Sequence, residues 1–234
     1  MKTIGLLGGM SWESTAHYYR LLNQNINEKL GGLHSAKIAM VSVDFQPLEI
    51  LMRQGEWTEC GERLAHAAQK VEAAGADFLL ICTNTMHKVA NVISESVNIP
   101  LLHIADSTAE KIKSKNIGTI GLLGTSFTME EEFYKGRLEN KYGLTVIIPS
   151  SEDRRLVHNV IFEELCRGKI RTESRMAFLD IIEKMRHLGA EAIIEGCTEI
   201  DMLLGQNKTA IPLFDTTALH VEQAVCLALA EEEY

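Results

Sequence analysis

Two short motifs carry side chains suited to moving protons. Cys82-Thr83-Asn84-Thr85-Met86-His87 follows one apolar run, and Gly196-Cys197-Thr198-Glu199-Ile200 follows another. The motifs correspond through an internal repeat. Gly75-Ala-Asp-Phe-Leu-Leu is echoed 114 residues later by Gly189-Ala-Glu-Ala-Ile-Ile, and the same offset carries Thr83 onto Cys197. Ile4-Gly-Leu-Leu-Gly-Gly9 returns as Ile120-Gly-Leu-Leu-Gly-Thr125 at an offset of 116, and Ile99-Pro-Leu-Leu-His as Ile211-Pro-Leu-Phe-Asp at 112. Three blocks in one order at nearly one spacing indicate two homologous halves. A hydroxyl and a thiol at equivalent points would then face each other across one ligand, one group accepting a proton while the other supplies one.

Such positions need strands to present them. Continuously apolar runs occur at Ile4–Gly8, Lys37–Phe45, Phe78–Cys82, Leu101–Ala105, Thr119–Gly124, Thr145–Pro149, Ala192–Cys197 and Ile211–Asp215. Unbroken apolar runs suit parallel strands covered on both faces. Helix-period segments lie between them, at Trp12–Leu30, Glu56–Ala74, Phe127–Asn140, Asp153–Cys166 and Ser174–Leu188. Alternating strand and helix predicts an α/β fold. The expected arrangement is two pseudo-symmetric domains, each a small parallel sheet flanked by helices, with the active site at their interface. The first domain would comprise residues 1–105 plus 213–234 and the second 106–212. In parallel α/β sheets ligands bind at the carboxyl ends of the strands, which is where Thr83 and Cys197 fall.

Composition removes several classes of function. Of 234 residues, 23 are Lys or Arg and 32 are Asp or Glu, a formal net charge of −9. That balance argues against a nucleic-acid partner, which needs a basic face. No apolar run reaches the ~20 residues of a membrane span. The start reads as a first strand rather than a signal peptide, because its apolar run passes into glycines, Trp12 and Glu13. Five scattered cysteines without a CxxC pair disfavour a disulfide framework and zinc, so a cytoplasmic location is expected. Cys60, Cys166 and Cys226 read as small buried hydrophobes, and the run Glu231–Glu233 as a frayed, solvated helix end. Neither GxGxxG nor a Walker sequence is present, and the eight histidines lack metal-ligand spacing, so no cofactor and no metal are expected. His87, four residues after Thr83, either packs behind the motif or orients it.

Taken together, GLLGGMSWEST, CTNTMH and GCTEI resemble the aspartate/glutamate racemase superfamily, and most nearly its broad-specificity amino acid racemase and aspartate racemase branch. The resemblance runs from Ile4 to about Glu222. It implies cofactor-independent racemisation of an amino acid by two opposed acid/base residues, usually cysteines, in proteins that are commonly homodimers. The chemistry is coherent with the repeat, since racemisation removes the α-proton from one face and returns a proton to the other. The family's first motif reads Pro-Cys-Asn-Thr-Ala-His, and its cysteine aligns with Thr83, not with the adjacent Cys82. A one-residue shift on a strand reverses the side chain's direction, and the internal repeat also selects position 83. Thr83 and Cys197 are therefore the expected catalytic pair. The thiol should be acidified by the helix N-terminus that follows it, whereas a threonine hydroxyl is a far weaker acid, so turnover should favour one enantiomer.

An acidic substrate brings two carboxylates to a protein of net charge −9. Backbone N–H groups at Gly8-Gly9-Met10 and at Thr83-Asn84-Thr85 can receive them. Side chains of Asn84, Thr85 and Thr198 add hydrogen bonds, with Thr125 and Ser126 playing the part opposite Met10. Arg53 is the candidate two-pronged clamp, matching an arginine that the family places after its second strand, with Met52 facing the same pocket. The family's lysine in the segment 161–168 aligns with Cys166, beside Arg167, which leaves the side-chain carboxylate without its usual partner. A hydantoin racemase or decarboxylase on the same frame, or a binding protein that has lost turnover, are the alternatives.

Overall fold

Every residue of the strand Ile4–Gly8 (β1) is buried, as its unbroken apolar sequence demands of a strand covered on both faces. The computed structural model describes residues 1–205 and 209–230, so the run Glu231–Glu233 lies outside the described residues. The chain divides into two compact units, one of residues 1–104 and 220 onward and one of residues 105–219.

In the first unit β1 is the centre of a parallel sheet, between Ile38–Ser42 (β2) and Phe78–Ile81 (β3). Alternation along β1 sends Ile4 and Leu6 into an apolar core with Tyr18, Leu22 and Ile26 of the helix Trp12–Leu30 (α1). Val221, Ala224, Val225 and Ala228 of the last helix, Thr216–Leu229 (α11), complete that core. Gly5 faces the other side, towards Val71 of the helix Trp57–Ala73 (α3). A Cβ at Gly5 would lie 2.7 Å from both the Phe78 carbonyl oxygen and Val71 Cγ1, so the close approach of helix and sheet requires glycine there. Phe45–Gln54 (α2), Ala90–Glu95 (α4) and Ile104–Ser114 (α5) are the remaining helices that begin in this unit, α5 at its boundary.

The second unit repeats the plan. Thr119–Gly124 (β4) lies between Thr145–Ile147 (β5) and Ala192–Gly196 (β6), and Leu213–Asp215 (β7) pairs with β6, all parallel. Helices here are Ser126–Glu130 (α6), Lys135–Tyr142 (α7), Ser151–Glu163 (α8), Thr172–His187 (α9) and Ile200–Leu204 (α10). Gly121 takes the place of Gly5, where an added Cβ would meet Ile193 Cδ1 at 2.5 Å and Met185 Cε, on α9, at 2.7 Å. Among the described residues no helix is long and apolar enough to cross a membrane.

Several expected elements are shorter or differently bounded. The run Lys37–Phe45 forms a strand only over Ile38–Ser42, because Asp44 caps α2 by accepting from the Gln46 N–H, so Phe45 opens a helix. Leu101 makes a single parallel bridge to Leu79, and α5 starts at Ile104 before a longer strand forms. The expected helix Phe127–Asn140 is broken by Glu131 in extended conformation. Residues 213–219, grouped by sequence with the first half, belong to the second unit because β7 hydrogen-bonds to β6. Cys226, expected to be buried, is exposed.

Candidate active site

In the first unit the ends of β1 and β3 are tied together by α1. Beyond β1 the chain turns through Gly9, whose φ of +97° is open to glycine, and whose N–H donates to Thr15 Oγ1 at 2.8 Å. Met10 is buried, and Ser11 caps α1 by accepting from the Ser14 N–H. Ser14 Oγ in turn donates to the Cys82 carbonyl at 2.7 Å, fixing the residue that follows β3. The Cys82 side chain packs into the core with Tyr18 and Leu80, and burial pushes its thiol well above the ordinary range. Thr83 is half-buried, and Asn84 and Thr85 are buried at the start of a short 3-10 turn, Thr85–Val89. Met52 is buried in α2. Arg53 is not: its side chain is 69% exposed and ion-paired with Glu49 one turn back. Successive helix positions point about 100° apart, so a buried Met52 leaves Arg53 towards solvent. The expected carboxylate clamp is therefore a solvated arginine in this structure.

In the second unit Thr125 follows β4 and caps α6, accepting from the Thr128 N–H at 3.3 Å. Ser126 Oγ lies 3.0 Å from His158 Nδ1. Cys197 follows β6 and donates from Sγ to Glu199 Oε2 at 3.0 Å. Thr198 Oγ1 donates to the same oxygen at 2.5 Å, and Cys166 Sγ lies 3.8 Å from Oε1. Glu199 is only 3% exposed, so three side chains converge on one buried carboxylate. The Cys197 thiol is held well above its usual range, first by burial and then by the Glu199 charge. This reverses the expected acidification. The helix after it, α10, has only five residues and begins beyond Glu199, so burial and the nearby carboxylate outweigh its field. A thiol donating to a carboxylate can still reach the thiolate, because Glu199 can receive the proton. Sequence reading left Glu199 without a role. The available signal was an acid two residues past a strand-end cysteine.

Two further acids lie on β6 and β7. Glu195, on β6, is in register with Asp215 on β7, which places both side chains on one face of the sheet. Glu195 is 2% exposed, and its Oε1 has no hydrogen-bond partner among the described residues. Burial, then the charges of Asp215 and Asp201, push its carboxyl up to about 8. Burial likewise raises Asp215 to about 6, with Asp201 adding to it.

The two candidate acid/base residues occupy the same place in their own sheets. Ile81 pairs with Leu7, and two residues on stands Thr83; Glu195 pairs with Leu123, and two residues on stands Cys197. Met10 and Thr125 follow the ends of the neighbouring strands.

Comparison with known proteins places this arrangement. The profile of the Asp/Glu/hydantoin racemases matches residues 7–224. A Yersinia pestis structure, described as that of a candidate Asp/Glu racemase, is 50% identical over 98% of this chain and all of its own, with a TM-score of 0.91. An aspartate racemase homologue from Pyrococcus horikoshii is 32% identical over 98% of this chain and 100% of its own, with a TM-score of 0.85. The broad-specificity amino-acid racemase of Bacillus subtilis is 22% identical over 97% of this chain and 98% of its own.

Proposed function

The chain belongs to the Asp/Glu/hydantoin racemase family, and on that premise we propose that it racemises an acidic amino acid without a cofactor, with Cys197 and Thr83 serving opposite faces of the α-carbon. One observation carries the reading. Thr83 and Cys197 stand at the same position past equivalent strands of two repeated sheets, and one of them is a thiol with a buried proton acceptor.

Glu199 takes the Cys197 proton, and the thiolate removes the α-proton of the bound amino acid. The carbanion is then protonated from the other face by Thr83, whose hydroxyl is replenished from water while Glu199 gives its proton to the hydroxide so formed. In the reverse sense Cys197 donates and Thr83 must abstract. An unaided threonine hydroxyl does that poorly, so one direction is slow. The substrate carboxylates are received by backbone N–H groups around Met10 and around Asn84 and Thr85, with the hydroxyls of Thr125 and Thr198 as further donors. Met52 belongs to the apolar wall. Arg53, exposed and paired with Glu49, is left out of this reading. The protein works as a homodimer in the cytoplasm on a small-molecule substrate, and needs no nucleic acid or membrane.

Incubation with pure L- and D-aspartate and L- and D-glutamate in heavy water, followed by chiral analysis and NMR, tests the proposal. Deuterium should enter at Cα from one enantiomer much faster than from the other. Equal, fast exchange from both would refute the asymmetric pair. Tight binding with no exchange from either would refute catalysis.

A further inference from the structure

We infer that His87 is a positioning residue for Thr83: its imidazole holds the Thr83 carbonyl on one side and a sheet-anchored backbone on the other, and so aims the hydroxyl. This rests on the racemase reading and makes it more specific.

The protonation of the ring follows from its partners. The Ile104 backbone N–H donates to His87 Nε2 at 3.3 Å, so Nε2 carries no proton. His87 Nδ1 lies 2.8 Å from the Thr83 carbonyl oxygen, which can only accept, so Nδ1 carries the proton. The ring is thus neutral and locked in one tautomer. It is 3% exposed, and the His103 ring lies 4.4 Å from it between centroids.

The far anchor is rigid. Leu79 of β3 donates to the Pro100 carbonyl and accepts from the Leu102 N–H, both at 2.9 Å, which ties the segment before Ile104 to the sheet. A second imidazole braces the same segment. His220 Nε2 donates to the Leu102 carbonyl at 2.9 Å, and its Nδ1 accepts from the Tyr18 hydroxyl at 2.8 Å. On the near side, the Cys82 carbonyl is already held by Ser14 Oγ. The carbonyls of Cys82 and Thr83 flank the Cα of residue 83. Holding both fixes its backbone and hence the direction in which the hydroxyl leaves. An apolar side chain at position 87 could fill the volume, but it would remove both the hydrogen bond to the Thr83 carbonyl and the one from the Ile104 N–H.

The carbanion formed by Cys197 has two fates. Thr83 can protonate it to give the opposite enantiomer, or Cys197 can return a solvent-derived deuteron to the starting one. The ratio of product formed to deuterium washed into recovered substrate reports Thr83 alone, and does not depend on how much folded enzyme is present. It should be measured in heavy water, starting from the enantiomer that the unsubstituted enzyme exchanges faster. His87→Leu should lower the ratio by about tenfold or more, since a 1 Å displacement of a reacting group can cost about 10²-fold. His87→Gln keeps an amide donor and a carbonyl acceptor, and should recover most of that loss. An unchanged ratio in His87→Leu, with both rates falling together, would overturn the inference while leaving the racemase reading intact. Absence of α-proton exchange in the unsubstituted protein would instead overturn the racemase reading. Nitrogen-15 NMR supplies an independent check, because an Nε2–H tautomer of His87 defeats the inference whatever the activity.

Discussion

Replacing Glu195 with glutamine should make the protein more stable, and increasingly so as the pH rises. Glu195 sits beside Asp215 in the β6–β7 register, buried, with its carboxyl raised from 4.5 to about 8. A raised acid favours folding only while it is protonated. Its contribution is fully present below about 4.5 and is lost as the pH climbs through about 8. The slope between those limits is about 1.4 kcal/mol per pH unit. Integrated over the same shift, the contribution lost grows from about 2 kcal/mol at pH 6 to nearly 5 at pH 9. Glutamine copies the shape of the protonated acid and does not titrate. Urea unfolding of both proteins at pH 6, 7, 8 and 9 should show the variant's advantage widening by about 2–3 kcal/mol across the series. Asp215 titrates with the same sign but lower, at about 6, so the upper half of the range isolates Glu195. A stability difference that stays constant from pH 6 to 9 would refute the reasoning, because Glu195 would then be ionised in the folded protein throughout.

Other outcomes follow from the same geometry. Glu199→Gln should slow turnover by about 10²-fold or more, yet move the pH midpoint of Cys197 alkylation by iodoacetamide downwards, since the carboxylate both receives the thiol's proton and opposes the thiolate. Thr83→Cys should accelerate the slow direction in the heavy-water exchange assay, leaving the fast direction nearly unchanged. Arg53→Ala should change KM by less than about twofold and stability by about 0.5 kcal/mol or less, as expected for an exposed ion pair one helical turn apart. Gly5→Ala should cost about 2–3 kcal/mol in thermal or urea unfolding. Gly121→Ala should cost less, because the added methyl meets only the ends of the Ile193 and Met185 side chains, whereas at Gly5 it meets the Phe78 backbone oxygen.

The framework was readable where burial leaves little choice. The apolar runs of β1 and β4 and the helical periods of α1 and α9 appear in the structure within a residue or two of where they were expected. The internal repeat was readable because the same glycine is needed wherever a helix crosses a sheet closely, as Val71 does at Gly5 and Met185 at Gly121. Strand ends were over-read, since Phe45 and Ala105 are as apolar as strand residues but belong to helices. The site was harder. Whether residue 52 or 53 faces inward depends on the phase of a helix that periodicity did not reveal. The acidity of Cys197 turned first on burial and then on Glu199, two residues away, whose carboxylate folds back to accept from the thiol. Such local returns leave no periodic trace in a sequence.

The last helix has a bearing on how the protein is made. Its residues Val221, Ala224, Val225 and Ala228 complete the core that Ile4, Leu6 and Tyr18 begin. A ribosome therefore releases the whole of residues 105–219 before it delivers the strip that closes the first unit. The second unit is continuous in sequence, so all of its residues emerge in one stretch. The first must wait, with β1 and α1 presenting an unfilled apolar face until the residues from 220 onward are delivered.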